Sequence, residues 1–160
     1  MRGGVSFFPE HIAPSLALLI YAFMVLWLAP CAVQDRRTRH VSNWLTVPLF
    51  VAAWPASLVL GTHVLTLAVF IAVYTAYRVR GLGGADGKLA VGMAALTPLG
   101  LLVSLVVSGL TFLFLRWKRS ETAQGKVAIP GALLFYAGTV IATYYLIAAT
   151  ALPVPIGVGA

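Results

Sequence analysis

Two aspartates are the side chains of this sequence best suited to catalysis. The chain has four acidic residues, Glu10, Asp35, Asp86 and Glu121, in a composition that is 61% hydrophobic. Asp86 lies in a glycine-rich break, residues 80–89, between two strongly apolar segments. A carboxylate at the edge of a membrane segment is costly, and by default it marks a functional site with a partner. Asp35 is the partner that the sequence offers.

Two carboxyl groups within hydrogen-bonding reach cannot both ionise easily, so they come to share one proton. Such a pair can activate water as a general base and protonate a leaving group as an acid. Other chemistry has less support. The single cysteine, Cys31, excludes an intramolecular disulfide and a cysteine-cluster metal site, and two aspartates alone are too few for a usual catalytic zinc site. We therefore expect no metal and no cofactor.

The apolar segments that carry these residues predict an all-α, polytopic membrane protein. Helices satisfy their own backbone hydrogen bonds in lipid, and a core about 30 Å thick needs about 20 residues per span. We expect a single domain over residues 1–160, a six-helix transmembrane bundle with a short fourth helix. The helices are predicted at about residues 12–34, 44–60, 63–78, 87–97, 98–115 and 129–150.

The positions of the basic residues decide whether the apolar run 89–115 is one helix or two. Lys and Arg collect on the cytoplasmic side of short loops. A break at Pro98 places ten of the eleven basic residues on one side, with only Arg2 opposite, whereas one crossing splits them six to five. We therefore predict two helices, the fourth being short, tilted or sunk among its neighbours. Both termini then lie outside and both aspartates face the cytoplasm. We therefore attribute the net charge of +7 to basic residues that set the orientation in the membrane, and not to nucleic-acid binding.

The helix ends suggest which aspartate holds the shared proton. Asp35 is predicted at or near the C-terminus of the first helix, whose negative end disfavours a carboxylate. Asp86 is predicted at the N-terminus of the fourth, whose positive end favours one. The sequence therefore predicts that Asp86 is predominantly the ionised base and Asp35 the protonated acid. Whether the pair is assembled without substrate stays open, because the loop 78–85 could hold Asp86 away.

Two segments, 35–46 and 83–89, resemble the two signature segments of the type IV prepilin peptidases. Asp35 matches the first catalytic aspartate of that family, several residues before the element Val41-Ser42-Asn43. Asp86 matches the aspartate of the glycine motif Gly83-Gly84-Ala85-Asp86, and Lys88 and Leu89 stand where the family has Lys and Leu. Residues 126–132 also resemble the proline-containing start of the family's last helix.

The resemblance implies a GxGD-type aspartyl protease of the prokaryotic cytoplasmic (inner) membrane. Its substrate would be a prepilin-like or archaellin-like precursor, cleaved at the cytoplasmic face with lipid around the helices. Asp35 and Asp86 would be catalytic. The further residues that the resemblance assigns to substrate binding are Asn43, Gly83, Gly84, Ala85 and Lys88. The chain is similar to short, protease-only members, since it lacks the length and the paired cysteines of the N-methyltransferase domain.

Two other classes of function remain open from the sequence. In a small proton-coupled carrier, the two carboxylates would relay protons, and further polar groups would line the bundle. A catalytically silent scaffold for pilus assembly would need neither aspartate. Taken singly, Asp35 could be an interfacial acid neutralised by Arg36 or Arg39, and Asp86 a helix cap. The oligomeric state is not determined by the sequence.

Overall fold

The computed structural model describes residues 13–79, 83–119 and 131–151, with side chains up to residues 115 and 150 in the last two helices. Within these ranges the chain forms six helices and no strand, as predicted. The helices are α1 (Pro14–Thr38), α2 (Asn43–Val59), α3 (His63–Arg78), α4 (Gly84–Leu96), α5 (Pro98–Arg119) and α6 (Gly131–Ala151).

Three of these helices contain segments long and apolar enough to cross a membrane: Pro14–Thr38, Pro98–Leu115 and Gly131–Thr150. The helices α2 and α3 are also apolar but shorter, with 17 and 16 residues. Large apolar side chains such as Leu26 and Val59 lie on the outer surface, where they are about three-quarters exposed (75% and 76%). Such outward apolar faces are typical of a helical membrane protein.

The short helix α4 lies at the centre of the bundle and contacts each of the other five helices. Eight of its 13 residues are buried, which confirms a short fourth helix sunk among its neighbours. Glycine and alanine dominate its buried surface, and small residues let helix backbones approach closely. At Gly92 an added methyl group would lie 2.7 Å from the side chain of Leu49 on α2.

Around α4 the remaining helices form two groups. In one, α6 packs against both α1 and α5, and in the other α2 packs against α3. The main apolar core joins α1 to α4 through Met24, Leu28, Leu89 and Met93, all fully buried. A hydrogen bond of 3.0 Å from the Trp27 indole to the carbonyl of Leu45 ties α1 to α2.

The chain breaks between α4 and α5 at Thr97, as the distribution of basic residues predicted. Thr97 has φ −137° and ψ 67°, outside the helical region, and Pro98 is the first residue of α5. Proline disfavours the helical conformation of the residue before it and is well suited to the first turn of a helix. The sequence 89–115 therefore belongs to two helices and not to one.

Several helix ends differ from the sequence-based prediction, among them the end of α5 at Arg119 instead of residue 115, and two of these differences bear on the aspartates. Helix α1 continues to Thr38 instead of ending near residue 34, because the helical conformation ends only at Arg39. Arg39 adopts a left-handed conformation (φ 52°), and its N–H donates to the carbonyl of Asp35 at 2.8 Å. Helix α4 begins at Gly84 and not at residue 87. Both aspartates consequently lie inside terminal helical turns.

Candidate active site

Asp35 lies in the last turn of α1 and is buried, with 8% of its surface exposed. Its Oδ2 accepts a 2.9 Å hydrogen bond from the backbone N–H of Ala132, the second residue of α6. The first N–H groups of a helix have no partner within that helix, and the Asp35 carboxylate supplies one here. This bond joins the end of the first helix to the start of the last.

Asp86 is the third residue of α4, and two glycines leave space for its carboxyl group. A methyl group added at Gly131 would lie 2.5 Å from Oδ1 of Asp86 and 2.7 Å from Oδ2. One added at Gly83 would lie 3.4 Å from Oδ2. A side chain at position 131 would therefore displace Asp86, whose carboxyl group packs against the backbone at the start of α6.

The two carboxyl groups thus meet at the same structural point, the first turn of α6. Gly131 adjoins Asp86, and the next residue, Ala132, binds Asp35. The aspartates are also close enough for the charge of Asp35 to act on the ionisation of Asp86. The structure brings together the two residues that the sequence singled out.

The surroundings of Asp86 favour its protonated form. Asp86 lies in the first turn of α4, at the end of the helix where the sequence predicts the cytoplasmic boundary of the membrane. Burial of its carboxyl group and, as the smaller cause, the negative charge of Asp35 together raise the pKa of Asp86 from 3.8 to about 6. Both causes act against the ionised form.

This geometry favours the reverse of the protonation predicted from the helix ends. The sequence made Asp86 the ionised partner because it begins a helix, whereas burial of its carboxyl group and the charge of Asp35 both act against the ionised form. Asp35, predicted as the protonated acid, receives a backbone N–H from another helix. A donor of this kind stabilises a carboxylate. Within the described ranges no hydrogen-bond donor is paired with Asp86. The two aspartates therefore differ in that Asp35 accepts a backbone hydrogen bond and Asp86 does not.

Two residues that the resemblance assigned to substrate binding are bonded to each other. The Lys88 ammonium donates to Oδ1 of Asn43 at 2.8 Å and so connects α4 to the first residue of α2. The start of α2 is also fixed by Ser42, whose hydroxyl accepts from the N–H of Trp44, and whose own N–H donates to Gln34 on α1. These bonds hold the segment after Asp35 against α4.

An apolar cleft of about 280 Å³ lies beside the glycine motif, between α2, α3 and α4. Gly83 and Gly84 form one end, and aromatic side chains form much of the wall: Phe50, Phe70, Tyr74 and Tyr77. Gly83 belongs both to this cleft and to the surroundings of Asp86. The cleft and the Asp86 carboxyl group therefore have Gly83 as a common neighbour.

The remaining predicted residue, Ala85, is half-buried and packs against the apolar core. Two neighbours of the aspartates, Gly131 and Ala132, were missing from the predicted site. The sequence feature that could have identified them is Pro130-Gly131-Ala132 at the start of an apolar helix. Nothing in the local sequence shows that Gly131 contacts Asp86, 45 positions earlier, or that Ala132 contacts Asp35, 97 positions earlier. No group of three or more His, Cys, Asp or Glu residues in the described part of the chain could hold a metal ion.

Comparison with known proteins places this arrangement in a family. The sequence profile of the type IV leader peptidase family matches residues 22–152, a range that includes both aspartates and the first turn of α6. The curated proteins and the solved structures gave no match. The profile covers most of the chain, so this helical membrane protein belongs to the type IV leader peptidase family.

Proposed function

We propose that the protein is an aspartic endopeptidase that removes the leader peptide of type IV prepilin-like or archaellin-like precursors. The observation that carries this proposal is the meeting of Asp35 and Asp86 at the first turn of α6. In a chain with four acidic residues, two are held together in a desolvated setting. The family supplies the class of substrate, a precursor protein with a leader.

In the mechanism that this geometry supports, Asp35 is the base and Asp86 the acid. The Asp35 carboxylate takes a proton from water while the water oxygen attacks the scissile carbonyl carbon. Asp86 then donates its proton to the amide nitrogen as the C–N bond breaks. The dyad ends with one proton, now on Asp35, and transfer of that proton to Asp86 restores the starting state.

The substrate backbone is proposed to approach beside Gly83 and Gly84. These two residues are exposed and line the apolar cleft, and Gly83 also adjoins Asp86. Without side chains they leave room for an extended peptide, and the aromatic wall suits an apolar residue next to the scissile bond. Lys88 and Asn43 act there as a bonded pair that fixes the α2–α4 side of the cleft.

We further propose that all six helices cross the cytoplasmic membrane as a single peptidase domain. Both termini are then outside, and the dyad faces the cytoplasm. The basic residues support this orientation, because ten of the eleven lie on the side of the aspartates. The precursor and membrane lipid are the proposed partners.

The rival function of a proton-coupled carrier has less support from the interior of the bundle. Asp35 is the one charged residue among the buried polar side chains described, and the others are Thr and Ser. Several of these hydroxyls donate to carbonyls of their own helix, as Thr66, Ser104 and Thr139 do. Hydroxyl groups used in this way do not form a continuous proton path.

The test is co-expression of the protein with candidate precursors from the same genome, scoring leader removal. Asp35→Asn and Asp86→Asn should each abolish cleavage while the protein remains inserted and folded. Glu121→Gln is the matched acid-to-amide control and should cleave normally. More than a few percent of wild-type cleavage in either Asn variant would refute the aspartic mechanism. A scaffold would show no cleavage even in the unmodified protein, and a carrier would instead show proton flux that depends on the two aspartates.

A further inference from the structure

We propose that Gly131 and Ala132, the first turn of α6, are positioning residues of the active site. The turn fixes the positions of the two carboxyl groups relative to each other. It also favours the ionised form of Asp35 over that of Asp86. This inference rests on the proposed aspartic mechanism and adds to it a third component, the helix start that touches both catalytic groups. Neither residue contacts the substrate in this proposal; both act through Asp35 and Asp86.

The contribution of Ala132 is its backbone N–H. The donor is one of the N–H groups that the first turn of a helix leaves without an internal partner, and it lies 2.9 Å from Oδ2 of Asp35. The positive end of the dipole of α6, a helix of 21 residues, also acts on this carboxyl group. Both effects favour a negative charge on Asp35, which keeps it available to take a proton from water.

The contribution of Gly131 is the absence of a side chain. The Asp86 carboxyl group occupies the space in which a Cβ would otherwise lie, since the carboxyl atoms are 2.5 to 2.7 Å from that position. The backbone of α6 therefore covers one side of Asp86 and excludes water from it. The same helix start thus provides a charge-stabilising donor for one aspartate and a desolvating surface for the other.

Other ionisable groups on the surrounding helices do not provide this asymmetry. Arg36, Arg37 and Arg39 follow Asp35 but are exposed, so their effect on it is screened by solvent. Lys88 follows Asp86 on α4 and is bonded to Asn43. The remaining ionisable side chains described on these helices are Tyr21 and Cys31 on α1, His63, Tyr74, Tyr77 and Arg78 on α3, and Tyr136, Tyr144 and Tyr145 on α6.

The decisive variant is Gly131→Ala, assayed with a cleaved precursor for kcat, KM and their dependence on pH. The new methyl group must move Asp86 or the turn by a large part of an ångström. A misplacement of about 1 Å can lower a rate about 100-fold. We expect a fall of that order in kcat with KM little changed, and a shift of the pH profile. Gly109→Ala is the matched control, because nothing lies within 4 Å of the added methyl group.

A second control separates positioning from general damage to the fold. Gly92→Ala strains the contact with Leu49, where the added methyl group would lie 2.7 Å from that side chain. It should lower the melting temperature and the yield of folded enzyme without shifting the pH profile of the remaining activity. If Gly131→Ala behaves like Gly92→Ala, or like Gly109→Ala, the proposal is wrong.

The protonation state can be measured directly in the unmodified enzyme and does not require an activity assay. The chain contains only two aspartates, so carboxyl-labelled aspartate gives two side-chain NMR signals, assigned with Asp86→Asn. We expect the Asp86 signal to reach its ionised position at the higher pH of the two. The opposite order would overturn the proposal even if both Asn variants are inactive. Full cleavage by the Asn variants would instead refute the underlying mechanism.

Discussion

Asp35 and Ala132 are joined by a 2.9 Å hydrogen bond although 97 residues separate them in the sequence. The bond closes the bundle at one end, since it links the first described helix to the last. It also distinguishes the two aspartates, because Asp86 meets the same helix start through a glycine instead of a donor. Several expectations follow from that difference.

The first concerns the effect of Asp35 on the ionisation of Asp86. Asp35→Asn removes a neighbouring negative charge, so it should lower the pKa of Asp86 below the value of about 6. That pKa should stay above 3.8, because burial is the larger cause of the rise and remains in the variant. Carboxyl-carbon NMR of labelled aspartate through a pH titration measures the pKa of Asp86 in the wild type and in the variant. An unchanged or higher pKa would show that the two groups do not interact.

A second expectation links Asp86 to stability. Its pKa is raised on folding, so between about pH 4 and pH 6 the folded state binds more protons than the unfolded state, and the free energy of unfolding falls as pH rises. Asp86→Asn removes the contribution of this carboxyl group to the fall in the free energy of unfolding. The variant should gain melting temperature relative to wild type at pH 8, with a smaller gain at pH 4. Thermal unfolding in the same detergent at both pH values gives the comparison. Equal gains in melting temperature at pH 4 and pH 8 would mean that ionisation of Asp86 does not destabilise the folded state.

A third expectation concerns the cleft. At Gly84 an added methyl group would lie 3.7 Å from Tyr77, an ordinary contact, so Gly84→Ala should fold and cleave nearly as wild type. Gly84→Leu should fill the end of the cleft and raise KM about 10-fold, the effect of a clash worth about 1.4 kcal/mol, with kcat changed much less. Steady-state kinetics with a purified precursor separates the two constants. A normal KM in the leucine variant would place the substrate elsewhere.

A fourth expectation tests the proposed orientation in the membrane. In a Cys31→Ala background, cysteines introduced at Thr38 and at Thr122 should react with a membrane-impermeant thiol reagent only from the cytoplasm. A cysteine at His63 should react only from outside. His63 is exposed at the start of α3, whereas neighbouring Gly61 has φ 69° and would resist substitution. Labelling of position 122 from outside would contradict the two-helix topology of residues 89–115.

Much of the fold was accessible from the sequence because lipid imposes simple constraints. Apolar runs and Pro98 predicted six helices, and the basic residues predicted a break that Thr97 and Pro98 confirm. The length of α4 predicted that this helix is short, tilted or sunk among its neighbours, and the structure shows the sunken position. The helix ends were less accessible. Arg39 ends α1 through its left-handed backbone, and no rule based on hydropathy detects such a conformation.

The candidate site was predictable in its two aspartates and not in their surroundings. Motif positions identified Asp35 and Asp86, but the prediction of their protonation used only the helix to which each belongs. The structure adds contacts from a different helix, through the N–H of Ala132 and the backbone of Gly131. Contacts of this kind depend on tertiary packing, and a single sequence contains no periodic signal for them.

The hydrogen bond between α1 and α6 also has a consequence for biosynthesis. Asp35 leaves the ribosome 97 residues before Ala132, an interval of about 5 to 20 s at about 5 to 20 residues per second. During that interval the early helices can insert, but the dyad lacks the turn that orders it. Proteolytic competence would therefore arise only when the last helix has entered the bilayer, and nascent or prematurely terminated chains would be inert.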